Sequence, residues 1–255
     1  MTTGAEPVFD ATRCQNCGQP LAAAQSYCSH CGQRAVRGRL TLHEVWHDLV
    51  HSLFHVDRSA LSLLRALLAR PGTVAREYVE GMRRRYFGPF GFLVVSVSLA
   101  AAAIAASGLN NVQSDSVAAS PLAQLLQRHI NLLYLLQVPL IAWLSALMFR
   151  REGRNFAEHL VLAAYTSGMR AIAIVVLLVP LWLLLDRSQD ARMTLFGGYF
   201  AIWVLYYAAS CAQFFDGGRI AGFLKGATVA LIAQGLTLLA FSGVYSLLVT
   251  AMSLA

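Results

Sequence analysis

From Pro89 to Ser107 the chain runs without a single charged residue. A helix of that length is what the hydrocarbon core of a bilayer, roughly 30 Å thick, demands. Backbone polar groups find no water there, so a spanning segment must satisfy them internally, as a helix or a closed barrel. Four more apolar stretches follow, at about 131–149, 160–185, 195–214 and 226–252. Composition agrees: 57% of residues are hydrophobic and only 13% charged, about half the charge of an ordinary soluble domain. The expected fold class is therefore an all-α multi-spanning membrane protein of about five transmembrane helices, with its membrane domain at 89–255. Pro139 is expected to kink the second span. The third holds Arg170, and residues 156–170 also read as an interfacial or re-entrant helix.

Two CxxC pairs precede the membrane domain, Cys14/Cys17 and Cys28/Cys31, each followed by glycine (Gly18, Gly32). Such a pair grips one ion from a tight turn, and glycine tolerates the positive φ the turn often needs. Four sulfur ligands suit tetrahedral Zn²⁺, with iron second. Disulfides would need an oxidising compartment, and no segment here resembles a cleaved signal peptide. With all four thiolates used the site is closed, and a closed site stabilises a small fold. The reading is a structural zinc ribbon at 13–34, after a loose tail at 1–12. The fifth cysteine, Cys211, lies in an apolar stretch and reads as a packed small side chain.

Residues 35–88 are basic and amphipathic. Thr41 with Glu44 makes a capping box, and Leu42, Val45, Trp46, Leu49, Val50, Leu53 and Phe54 recur at helical spacing. Further short helices are expected over about Ser59–Ala69 and Thr73–Arg85. They are too polar to span, and read either as lying on the membrane surface or as packed on the bundle. Arg76, Arg83, Arg84 and Arg85 are the candidate contacts to lipid headgroups or a partner. Orientation follows from the loops. Segment 70–88 holds five arginines, 150–159 three, and 215–225 holds Arg219 and Lys225, whereas the alternate loops hold one and two. The positive-inside rule puts the N-terminus in the cytoplasm and the C-terminus outside, in keeping with reduced cysteines.

The pattern CxxCG…YCxxCGQ, then PG…YVxGxRxxY…P, then Glu158-His159 resembles a family of bacterial inner-membrane proteins of unknown function with an N-terminal zinc ribbon. It is carried by Cys14 to Gly18, Tyr27 to Gln33, Pro71-Gly72, Tyr78-Val79, Gly81, Arg83, Tyr86 and Pro89, over about residues 14–215. The resemblance implies a helical membrane domain and no particular activity. A looser likeness is to the five-helix Yip family, an analogy of fold and a weak guide to function.

Other constellations carry competing readings. His43-Glu44-Val45-Trp46-His47 spells HExxH on a helix, the zinc-protease signature, but its amphipathic setting already explains it. His43, His47, His51 and His55 fall at four-residue steps and form a solvated face, a pH-sensitive surface or an accessory metal site. Arg170 within a span is costly and should be paired; Asp216, Glu158, Tyr165, Thr166 and Gln213 are the expected partners. Glu158-His159 suits a helix N-terminus at the interface. Gly222-xxx-Gly226 and the small residues Ser96, Ala100 and Ala103 permit close helix packing and a homo-oligomer. No catalytic set stands out, so an enzyme is not expected.

The functional expectation is an integral inner-membrane protein. Its cytosolic zinc ribbon and basic module would bind a protein partner or anionic lipid, and nucleic acid is not favoured. The alternatives are a small transporter or lipid-handling protein using Arg170, and the metalloprotease.

Overall fold

The computed structural model describes residues 12–23, 25–36, 38–44, 59–109, 130–185 and 189–253. The described residues are helical apart from the cysteine-bearing hairpins, their linker and the short turns. After helical residues 42–44 come α1 (Ser59–Ala69), α2 (Pro71–Val79) and a 3-10 turn at Arg83–Arg85. Then come α3 (Pro89–Ser107), α4 (Ile130–Met148) and α5 (Phe156–Ala173). A π turn at Ile174–Leu178 carries α5 into α6 (Val179–Leu184), and α7 (Gln189–Phe214) and α8 (Arg219–Ser253) close the chain.

Local chemistry sets the ends. Pro89 opens α3 with φ preset for a helix, and Gly108 closes it in the left-handed region. Asn155 and Glu158 form a reciprocal capping box at the start of α5. The expected helix over Thr73–Arg85 is shorter, because α2 stops at Val79 and Gly81 turns the chain at φ +107°. No helical residue continues through that conformation. The third expected span is one continuous helix from Phe156 to Leu184, beginning four residues earlier than the sequence suggests.

Among the described residues, four helical stretches are long and apolar enough to cross a membrane: Arg83–Ser107, Phe156–Leu184, Met193–Phe214 and Arg219–Ala240. The second expected span corresponds to α4, whose described apolar part, Tyr134–Met148, is shorter. Pro139 lies inside it.

The helices pack where side chains are small. Between apolar helices in lipid no hydrophobic force operates, so close backbone approach has to supply the attraction. A Cβ on Gly168 of α5 would stand 2.6 Å from the Phe92 ring of α3. On α8, a Cβ on Gly222 would lie 3.1 Å from Ala212 Cα, and one on Gly226 would lie 2.8 Å from Cys211 Cβ, both on α7. The Gly222-xxx-Gly226 pair is thus used within the chain, to seat α8 on α7. Gly72 is the tightest case: its Cβ would stand 2.0 Å from the Ser210 carbonyl oxygen. That proximity presses the start of α2 against the end of α7.

Candidate metal centre and the cap it docks on

The two cysteine turns are near copies. Cys14 N donates to Gln19 O and Gly18 N to Cys14 O, both at 2.8 Å; Cys28 N donates to Gln33 O at 2.8 Å and Gly32 N to Cys28 O at 2.9 Å. Gly18 and Gly32 take φ of +74° and +68°, the left-handed step that a side chain would oppose. Single antiparallel bridges, Arg13 with Pro20 and Tyr27 with Arg34, close each turn. The result brings the Sγ atoms of Cys14, Cys17, Cys28 and Cys31 within 4.8 Å of one another. The pairs Cys14–Cys31 and Cys17–Cys28 stand 3.6 Å apart, and all four are free thiols.

Sulfur bonds of about 2.3 Å in a tetrahedron place sulfurs about 3.8 Å apart, so the quartet fits a four-coordinate metal. Backbone N–H groups of Cys31 and His30 hold the Cys28 thiol down to about 6. Cys17 goes the other way, up to about 12: the Gln19 backbone group lowers it, but burial and the three neighbouring thiols together outweigh that. Four thiolates this close repel, and a shared cation is what lets all four ionise. Among the described residues this is the one group of three or more potential ligands able to hold a metal ion.

The quartet is fixed to the helices. Gln33, buried at 5% exposure, donates from Nε2 to the Gly81 carbonyl at 2.6 Å and accepts from Arg84 N at 3.0 Å. Gly81 lies so close to Gln15 that a Cβ there would meet it at 2.9 Å. The linker is clamped as well. Arg39 donates from Nε to Glu158 Oε1 at 3.0 Å, and from Nη2 to Oε2 and to the Gly153 carbonyl, each at 2.7 Å. Glu158 is fully buried. Asn155 Nδ2 completes the clamp by donating to Leu40 O at 2.9 Å. Glu158 is therefore both helix cap and ion-pair partner, shielded from solvent.

The four arginines singled out from sequence divide. Arg76 is spent inside the fold: it donates to the carbonyls of Gln213 and Phe214 and pairs with Asp216 at 2.7 Å. A cation at these last carbonyls of α7 meets the negative end of the helix dipole. Arg83 pairs with Glu44 at 3.4 Å. Arg84 and Arg85 are exposed, with Arg85 3.6 Å from Glu77. Tyr86 donates its hydroxyl to the same glutamate. Arg154 reaches Glu80 at 3.6 Å and lies over the Phe214 ring.

Of HExxH, His43 is exposed, while Glu44 is engaged by Thr41 N at 3.0 Å and by Arg83. The Thr41–Glu44 capping box forms as expected. His47, His51 and His55 lie outside the described residues.

In the bundle, Arg170 finds partners other than those expected. Nη1 donates to Gln137 Oε1 at 2.8 Å and Nη2 to Gln234 Oε1 at 3.1 Å. The guanidinium lies 4.2 Å from the Trp203 ring centre, 5.3 Å from Tyr134 and 5.9 Å from Tyr199. The five expected partners are committed elsewhere. Asp216 pairs with Arg76 and Glu158 with Arg39. Tyr165 donates to Phe87 O, Thr166 to carbonyls of its own helix, and Gln213 accepts from Gly72 N. His159 is buried, its Nδ1 2.9 Å from Ser145 Oγ.

Residues 62–100 match the model of a family described as protein of unknown function (DUF3667). That segment runs from α1 into α3 and contains Pro71-Gly72, Tyr78-Val79, Gly81, Arg83, Tyr86 and Pro89, the residues that carry the likeness to an uncharacterised family. Comparison with curated proteins and with solved structures gave no match.

Proposed function

We propose that the chain is an integral protein of the bacterial inner membrane with five spans, its N-terminus cytosolic and its C-terminus outside. The cysteine quartet holds structural Zn²⁺, and the docked ribbon with α1 and α2 forms a rigid cytosolic platform that engages anionic lipid headgroups. The observation that carries this reading is where the solvent-facing arginines gather. Arg84 and Arg85 precede α3, Arg150 and Arg151 follow α4, and Arg219 opens α8; all five are exposed. They share one end of the bundle, because the turns beside them interlock: Arg39 reaches Gly153, Arg154 reaches Glu80, and Arg76 reaches Asp216. On α1, Leu61 and Leu68 are 59% and 70% exposed on the face that also shows Arg65. An apolar stripe beside arginines suits the headgroup boundary, and each basic residue near an anionic surface adds about 1 kcal/mol.

The test compares thermal stability in nanodiscs of neutral lipid and of lipid containing phosphatidylglycerol. The wild-type protein should gain stability with the anionic lipid and retain it through purification. Replacing Arg84, Arg85, Arg150 and Arg151 by Gln should erase the difference. Equal stability in both lipids would overturn the reading. A protein partner at the ribbon is the second reading, supported by the exposed Tyr27 on the hairpin, 62% accessible.

A further inference from the structure

Two buried donors meet deep in the bundle without acceptors among the described residues: Nε of Arg170 and Nε1 of Trp203. The two side chains are in contact, guanidinium over indole at 4.2 Å. Gln137 and Gln234 supply amide oxygens to the arginine, and these are neutral. Its charge has no carboxylate partner among the described residues. Glu44, Glu77, Glu80, Glu158 and Asp216 pair with other arginines. Glu152 lies against Gly217, and Asp190 is exposed in the first turn of α7. Arg170 is half-buried.

The polar groups do not stop there. Trp203 faces Tyr207 at 6.1 Å between ring centres, and the buried Tyr207 hydroxyl lies beside Ser145 and Cys211. Ser145 Oγ meets His159 Nδ1 at 2.9 Å, and His159 Nε2 is again buried, with no partner among the described residues. His159 follows Glu158, the residue clamped by Arg39. Three polar atoms without a partner among the described residues, Arg170 Nε, Trp203 Nε1 and His159 Nε2, thus lie along one seam of contacting side chains between the Arg39–Glu158 clamp and Arg170. A buried polar atom without a partner costs about 1–3 kcal/mol, and such atoms in a row mark places where water or a ligand belongs. A guanidinium in a water-poor site binds oxyanions strongly, through planar charge-assisted hydrogen bonds.

We infer that Arg170 and Trp203 form an intramembrane binding site for a small oxyanion, a carboxylate or phosphate group, reached along the seam from the capped end of the bundle. The site is independent of the proposed headgroup contacts at the rim. Arg170 supplies the charge, Trp203 a second donor and a flat wall, and Gln137 and Gln234 hold the guanidinium in plane.

The test uses the full chain, purified in a neutral detergent. Its thermal midpoint is followed while acetate, inorganic phosphate or short-chain phosphatidylglycerol is added at constant ionic strength, with chloride as the control. The expected result is a saturable rise of about 3 °C or more at ten times the half-saturating concentration, lost in Arg170→Gln. Response to acetate or phosphate identifies a free oxyanion; response to the lipid alone identifies a headgroup, and either supports the site. Gln234→Glu places a carboxylate against the guanidinium without changing side-chain size. It should raise the midpoint in anion-free buffer and abolish the response, a result that does not depend on Arg170→Gln folding. The inference is overturned if no oxyanion shifts the wild-type protein beyond chloride. It is equally overturned if Gln234→Glu leaves the response intact.

Discussion

Replacing Arg39 by Ala isolates the clamp between the linker after the cysteine hairpins and the helical bundle. Glu158 has no exposure, and Arg39 retains 28% of its side-chain surface. Breaking a buried ion pair from one side costs about 3–5 kcal/mol, because the other charge stays behind unpaired. Part of that cost is spared here. Glu158 still accepts from Asn155 N at 3.1 Å and sits at the positive end of a helix dipole. The exposed fraction of Arg39 is also screened by water. We therefore expect a loss of about 2–3 kcal/mol, at or just below the lower bound of that range. For a chain of this size that is a fall of about 4–12 °C in thermal midpoint. Adding Glu158→Gln should recover most of it, to within about 1 kcal/mol of wild type, since a neutral amide is cheap to bury when its partner is gone. Thermal unfolding of the four proteins in one detergent completes the double-mutant cycle. An Arg39→Ala protein as stable as wild type would refute the clamp. So would a double variant as unstable as the single one, because the cost would then come from lost packing and not from a stranded carboxylate.

Gly72→Ala should destabilise by about 1–3 kcal/mol through overpacking, because its Cβ would overlap the Ser210 carbonyl; thermal unfolding reads this directly. Gly235→Ala on α8 meets no atom within 4 Å and should be neutral or stabilising by up to about 1 kcal/mol. Cys14→Ser/Cys17→Ser should remove one bound metal per chain by elemental analysis, whereas His43→Ala/His47→Ala should leave the count unchanged; loss with the histidines would revive the HExxH site. Gln33→Ala severs the bonds to Gly81 and Arg84 and should expose the N-terminal hairpins to proteolysis at a loss of about 1–3 kcal/mol.

Local features are readable in the sequence and distant pairings are not. Pro89–Ser107 and Ser59–Ala69 coincide with expected helices, because composition and end signals act within a few residues. The Thr41–Glu44 box is local in the same way. The four cysteines come together because two short turns repeat one geometry. The helix after Pro71 is shorter than its periodicity suggests, since Gly81 ends it with local bonds, Gly81 N to Tyr78 O and Met82 N to Glu77 O, and also meets Gln15 across the interface. Arg170 shows the limit most clearly. Its charge leads a sequence reader to a carboxylate, yet its partners are amides 33 and 64 residues away in the chain. Gln137 and Gln234 carry no signal of their own in an apolar helix beyond being polar where polarity is expensive. Gln33 is visible only as the last letter of a cysteine motif, and its work is done on the helices.

The seat of Gln33 on Gly81 makes the cysteine turns and the bundle thermodynamically one system. An ion captured by the sulfurs orders the turn that presents Gln33, and an assembled helix cap presents the groups that receive it. Linkage then runs equally in both directions: whatever factor the ion adds to the stability of the helices, the helices add to the affinity for the ion. Excised hairpins should hold a metal ion more loosely than the whole chain does, and the supply of that ion becomes a dial on how firmly the helices hold together.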